Sequence, residues 1–191
     1  MSMIGCFYAL RDEDLEAIVA QPNRIKKLWD APVVQPKSPS LLGRLFGAKA
    51  PPPEKEDPWK PSEKPEEYDV DKAWHGIHFL LTGSDWEGEG PLAFILHGGR
   101  EINEDLGYGP PHGFTSAEVK EISRALAAVN VEELHKTADP AKFTENEIYP
   151  EIWDKEDRET CIGYVTESLT GLRNFVKKTA DSNRALIAYL G

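Results

Sequence analysis

The sequence predicts an α+β fold: a single compact domain in which several helices pack on a small sheet that includes the N- and C-terminal strands. Three observations carry this. Met3 to Leu10 and Ala185 to Leu190 are short, nearly continuous apolar runs of strand length, the pattern of strands buried on both faces. Between them, apolar residues recur at i, i+3, i+4 and i+7 in several segments, as amphipathic helices require. With 40% hydrophobic and 9% aromatic residues among 191, the chain has enough apolar material for a core, at a length that suits one domain.

Each element follows from local signals. Met3 to Leu10 opens as a mostly buried strand. Asp12 stands where a helix N-cap belongs, ahead of Leu15, Ile18 and Val19, and a further turn carries Ile25, Leu28 and Trp29. Residues 31–67 then break the pattern. Nine of the 15 prolines fall in this stretch, with six basic and six acidic side chains, so it is locally neutral and reads as a Pro-rich insertion or loop in one domain spanning 1–191. Inside it, Leu41, Leu42, Leu45 and Phe46 share one side of a short helical turn beside Arg44 and Lys49. These four are candidate partner-docking residues; the alternative is that they fold back on the parent domain.

After the insertion, Asp69 or Asp71 is placed to cap a helix through Trp74, Ile77, His78 and Leu81, stopped by Gly83. Eight of the 15 glycines and three prolines lie from Gly83 to Gly113, which dictates turns around the apolar Leu92 to Leu96 run. Thr115-Ser-Ala-Glu118 matches the capping box, with Phe114 and Val119 as a hydrophobic staple, for a helix burying Val119, Ile122, Leu126 and Val129. Asn130 to Glu133 repeats the capping logic, and Asp139-Pro140 starts a third helix. Asp157 to Ala180 is a long helix by the period of Cys161, Tyr164, Val165, Leu169, Leu172, Phe175 and Val176. Ala185 to Leu190 closes the chain as a strand suited to pair with Met3 to Leu10.

Composition excludes several roles. The formal net charge is −11, and because residues 31–67 are neutral, all of it belongs to the rest of the chain. A protein that neutralises nucleic-acid phosphates needs a surplus of Lys and Arg, and so does one that docks on anionic lipid. No apolar run approaches the ~18 residues of a bilayer span, and the apolar N-terminus lacks a basic region and cleavage site, so the expected compartment is the cytoplasm. Cys6 and Cys161 are far apart in apolar settings and build neither a disulfide framework nor a metal ladder. The oligomeric state is not legible.

Candidate chemistry is sparse. His75 and His78 project from neighbouring positions of one helix, but no third ligand accompanies them, so no metal is predicted. With Trp74 they are ligand-binding candidates, joined by Arg100, Tyr108 and His112 on the glycine-rich turns, where Trp86 and His97 also lie. His97-Gly98-Gly99-Arg100 outwardly resembles the oxyanion loop of some hydrolases, yet the GxSxG nucleophile elbow is absent. GxGxxG and GxxxxGK[ST] are absent too, so no nucleotide cofactor is implied. Glu101, Glu104, Asp105 and the cluster from Asp154 to Glu159 read as solvated faces, with one specific use: attracting a basic protein partner.

At Asp71-Lys-Ala-Trp-His-Gly-Ile-His-Phe-Leu-Leu-Thr-Gly83, preceded by Met1-Ser-Met-Ile-Gly5 and followed by Ile148-Tyr149-Pro150, the chain resembles the YfbM-like family, bacterial proteins classed as a domain of unknown function. Gly107-Tyr-Gly-Pro110, Trp153 and the apolar C-terminal strand extend the resemblance over nearly all the chain except residues 31–67. It implies a compact α+β domain and supplies no reaction. Two functional readings stand. One is a non-catalytic protein-binding module, in its sharpest form an immunity or inhibitor protein for a basic toxin partner. The other is a small-molecule enzyme or ligand sensor with a pocket around Trp74, His75, His78 and the Tyr108/His112 loop. The missing catalytic signatures lean away from an enzyme.

Overall fold

A computed structural model describes residues 2–29 and 57–191. Among them, five strands form one antiparallel sheet: β1 (Gly5–Leu10), β2 (Glu66–Asp69), β3 (Arg100–Glu101), β4 (His112–Phe114) and β5 (Ala185–Leu190), in the order β2-β1-β5-β4-β3. The described α-helices are α1 (Asp12–Ala20), α2 (Trp74–Thr82), α3 (Ser116–Ala128), α4 (Val131–Thr137), α5 (Pro140–Glu145) and α6 (Arg158–Asp181). Short 3₁₀ segments at Pro22–Trp29, Asp71–Ala73 and Pro91–Ala93 join them. The class is α+β, with both terminal strands in the sheet.

β1 and β5 lie side by side and pair from Gly5 opposite Leu190 to Leu10 opposite Ala185. Successive side chains point to opposite faces. Phe7, Ala9, Leu186, Ala188 and Leu190 enter one core; Tyr8, Leu10, Ala185 and Ile187 enter another on the far side. Each strand is therefore buried twice over, which is why both ends of the chain read as unbroken apolar runs. The larger core gathers Trp74 and Ile77 of α2, Val119, Ile122 and Leu126 of α3, and the inner stripe of α6. Leu15 and Ile18 of α1 close the smaller core with Ile25. Each such Leu or Ile, fully buried, contributes about 1.5–3 kcal/mol.

The capping box at α3 is complete: Thr115 Oγ1 accepts from the Glu118 N–H, and the Glu118 carboxylate accepts from the Thr115 N–H at 2.7 Å. Val129, expected in the core, is half-buried at the C-cap. Asn130, Asp139 and Asp157 cap α4, α5 and α6 through their side chains. Asp12 departs from expectation. It is the first residue of α1, and Arg11 holds the N-cap position without a side-chain capping bond. The Asp12 carboxylate accepts instead from Ser116 N–H and Oγ–H at 2.7 and 2.6 Å, so it serves the start of α3 across the sheet. Asp71 likewise caps no α-helix; it begins the 3₁₀ turn that feeds α2, whose N-cap residue is Ala73.

Leu41, Leu42, Leu45 and Phe46 lie outside the described residues. From residue 57 the Pro-rich stretch is packed on the domain. Arg24 donates to both oxygens of Asp57 at 2.6 and 3.2 Å and holds its carboxyl at about 2. The buried Asp14 carboxylate accepts from Ser62 N–H and Oγ–H. Glu66 and Glu67 then open β2, so regular structure begins inside a stretch whose composition reads as irregular. The reason is tertiary: pairing with β1 satisfies the backbone of these residues whatever the prolines upstream prefer. Among the described residues no helix is long and apolar enough to cross a membrane.

Candidate functional site

α2 positions three of the predicted ligand residues. Its first turn buries Trp74 and His75, whose rings stack at 4.7 Å between centroids and 8° between planes, and one turn later it buries His78. Trp74 and His78 sit in the apolar stripe that the helical period predicts, whereas His75, which the same period places nearer the polar face, is buried as well because the 85–87 segment covers it; none of the three is more than 1% exposed. Buried imidazoles need partners. The His75 Nδ1 accepts from the Tyr149 N–H at 2.9 Å, which leaves Nε2 protonated to donate to the Asp85 carbonyl at 2.9 Å. His78 Nε2–H donates to the Glu87 carbonyl at 3.1 Å. Between them in sequence, the Trp86 carbonyl accepts from His97 Nε2–H.

Three consecutive carbonyls, of Asp85, Trp86 and Glu87, are thus each held by a different imidazole. The segment forms a strap lying across α2. Burial lowers the pKa of His75, and burial with the nearby His97 and His75 lowers that of His78 to about 4 against an ordinary 6.5. Both rings are neutral at pH 7. His78 Nδ1 is buried with no hydrogen-bond partner among the described residues, so a proton arriving there would be an unpaired buried charge. Trp86 itself points outward, its indole resting on His75 at 4.6 Å and on Trp74 at 5.9 Å.

The remaining predicted residues lie elsewhere. Arg100, on β3, forms a two-pronged ion pair with Glu16 of α1 at 2.9 and 2.7 Å. His112, on β4, bonds the Gly98 carbonyl through Nδ1 at 2.9 Å. Tyr108 packs partly on the larger core. Among the described residues no hydrogen bond or ring contact joins Arg100, Tyr108 or His112 to Trp74, His75 or His78. The described residues contain no cluster of three or more His, Cys, Asp or Glu arranged to hold a metal ion.

The family model for a domain of unknown function, DUF1877, matches residues 1–189. The chain belongs to the DUF1877 family. Among solved structures it is similar to the Escherichia coli protein of unknown function YfbM, with 17% identity, a TM-score of 0.65, and coverage of 98% of this chain and 99% of that one. That likeness concerns the fold alone. No curated protein sequence matches the chain.

Two open clefts formed by the described residues of this DUF1877 chain are not lined by any of the predicted ligand residues. One, of about 570 Å³, is edged by Arg11, Glu63 and Arg184, whose charges pair with one another. The other, of about 480 Å³, lies between α4 and α6 beside His135. His135 is a site that sequence reading missed: it bridges Thr166 Oγ1 at 3.0 Å and the exposed Glu159 carboxylate at 3.1 Å. Thr166 Oγ1 already bonds the Ile162 carbonyl one turn back at 2.8 Å and is buried, so it serves the helix and is no nucleophile. The sequence offers no signal for it, since its partners sit 24 and 31 residues away.

Proposed function

We propose that this protein is a non-catalytic binding module whose partner is a basic protein. The observation that carries the reading is the surface built by residues 130–160. This stretch holds ten carboxylates against four Lys and Arg, a local charge of −6, and all ten carboxylates are exposed. Three of the four cations within it are engaged close to home. Arg158 donates to the carbonyls of His135, Lys136 and Ala138 at the end of α4, Lys155 to the Glu151 carbonyl, and Lys142 pairs with Glu145. More than half of the net charge is therefore carried by this one stretch with little local compensation, a field that steers a positively charged partner.

The hydrogen bonds of the site support the same reading. An enzyme or ligand sensor around Trp74, His75 and His78 needs imidazole nitrogens that a ligand can reach; three of the four ring nitrogens of His75 and His78 bond backbone groups, and the fourth, His78 Nδ1, is buried. An immunity or inhibitor protein for a basic toxin is the specific role we favour within the binding class. The test uses Glu147→Gln, Glu151→Gln, Asp154→Asn and Glu156→Gln in one protein as bait, beside the unmodified chain, against a lysate of the native host. Wild type is expected to retain a stoichiometric partner that high salt releases and the four-fold variant loses. Equal capture by both baits, or no salt-sensitive partner, overturns the proposal.

A further inference from the structure

Trp86 is the one large hydrophobic side chain among the described residues that is exposed, at 50%. A single surface Trp is ordinary, but this one is held in place. Its ring rests on the buried His75 and Trp74, its own carbonyl accepts from His97, and the carbonyls on either side accept from His75 and His78. Its backbone N–H donates to the Asp85 carboxylate at 2.8 Å. An aromatic ring fixed this way gives up little side-chain freedom when it is covered, which is the property of an interface anchor.

The charge around it selects what covers it. Asp85, Glu87 and Glu89 flank the ring in sequence, and Glu87 and Glu89 are exposed with no ion pair among the described residues. The Trp86 N–H holds the Asp85 carboxyl below its ordinary range, so it is ionised. On the far side of His75 comes Tyr149, whose neighbours Glu147 and Glu151 are exposed members of the acidic surface described above. A half-exposed indole with carboxylates beside it in the chain fits a guanidinium, which can stack flat on the ring and offer its N–H edge to nearby acids. Phosphate-bearing partners are repelled by the same charges.

We infer that Trp86 is the anchor of the docking surface and that it takes an arginine side chain of a basic protein segment; this rests on the binding-module reading. The test titrates the full chain with nona-arginine, following the indole N–H resonance of Trp86, identified by its loss in Trp86→Phe. The expected result is a shift of that resonance, with tighter binding of nona-arginine than of nona-lysine. Trp86→Ala is expected to weaken binding by about tenfold, and Trp86→Phe by less. Binding unchanged in Trp86→Ala but lost in the four-fold carboxylate variant overturns the anchor while leaving the acidic surface as the binding face. A Trp86 resonance that does not move in the wild-type protein overturns it even if Trp86→Ala fails to fold. Failure of the host-partner capture alone overturns the binding-module reading, whatever the indole does.

Discussion

Gly99 carries two constraints unrelated to substrate binding. Its φ of +60° lies in the left-handed region, and a Cβ there would sit 2.5 Å from the Gly113 carbonyl oxygen and 2.9 Å from the Phe114 ring. The His97-Gly98-Gly99-Arg100 string is therefore a tight turn into β3. Its outward likeness to an oxyanion loop comes from the same need for backbone room. Left-handed backbone alone costs a non-glycine residue about 1–2 kcal/mol, and the backbone clash adds to it. Gly99→Ala is expected to lose about 2–4 kcal/mol in urea unfolding. Gly83→Ala is the control: its φ is +77° but nothing lies within 4 Å of the added methyl, so it should lose only about 1–2 kcal/mol. Equal losses would show that the close approach to Gly113 does not matter. At this scale the sequence marks both positions as turns without saying which one is crowded, since the crowding atoms come from β4.

At the scale of elements, α2 and the strap over it form one unit that is sensitive to acid. His78 binds a proton near 6.5 in the unfolded chain and at about 4 in the fold. A depressed histidine pKa means that the unfolded state takes up protons first, so the stability is fully present above pH 6.5 and falls as pH drops through the window toward 4. His75 shifts in the same direction. Asp85 on the strap and His97 beside it are the charged or titratable groups that act on these rings, and Glu87 meets His78 through its backbone carbonyl. His78→Gln keeps a donor for the Glu87 carbonyl and removes the titration. Urea midpoints measured between about pH 7 and pH 5 should decline less steeply for this variant than for wild type; parallel declines would assign the acid sensitivity to other groups. The helical period predicts that His78 faces inward. It does not predict the strap, because the accepting carbonyls belong to turns with no period of their own.

For the whole molecule, the unevenness of the charge matters more than its total. Residues 130–160 concentrate carboxylates on helices and turns packed around the start of α6, where they repel one another. The substitutions Glu147→Gln, Glu151→Gln, Asp154→Asn and Glu156→Gln together should raise the melting temperature at low ionic strength. Each like-charge contact relieved is worth about 0.2–0.5 kcal/mol. In about 1 M salt, where the screening length is about 3 Å, the gain should vanish. A variant less stable than wild type at low salt would mean that these carboxylates make attractive contacts. A gain in stability also separates a loss of binding from a loss of fold. The total of −11 and its restriction to the residues outside 31–67 are legible from composition. That the stretch meets the Trp86 strap through Tyr149, whose N–H donates to His75, is not.

The amino-acid sequence by itself determined the α+β class, the two terminal strands, α2 with its Gly83 stop, and the capped helices that follow Thr115, Asn130, Asp139 and Asp157. Those features depend on residues a few positions apart, where side-chain period and capping chemistry act directly. Only the tertiary structure decided that Asp12 serves Ser116, that Glu66 and Glu67 join β2, that three histidines grip three consecutive carbonyls, and that Trp86 is left facing out. Each of these joins segments distant in sequence, and the partner in most of them is a backbone group that every residue type carries, so residue identity alone holds no record of the pairing.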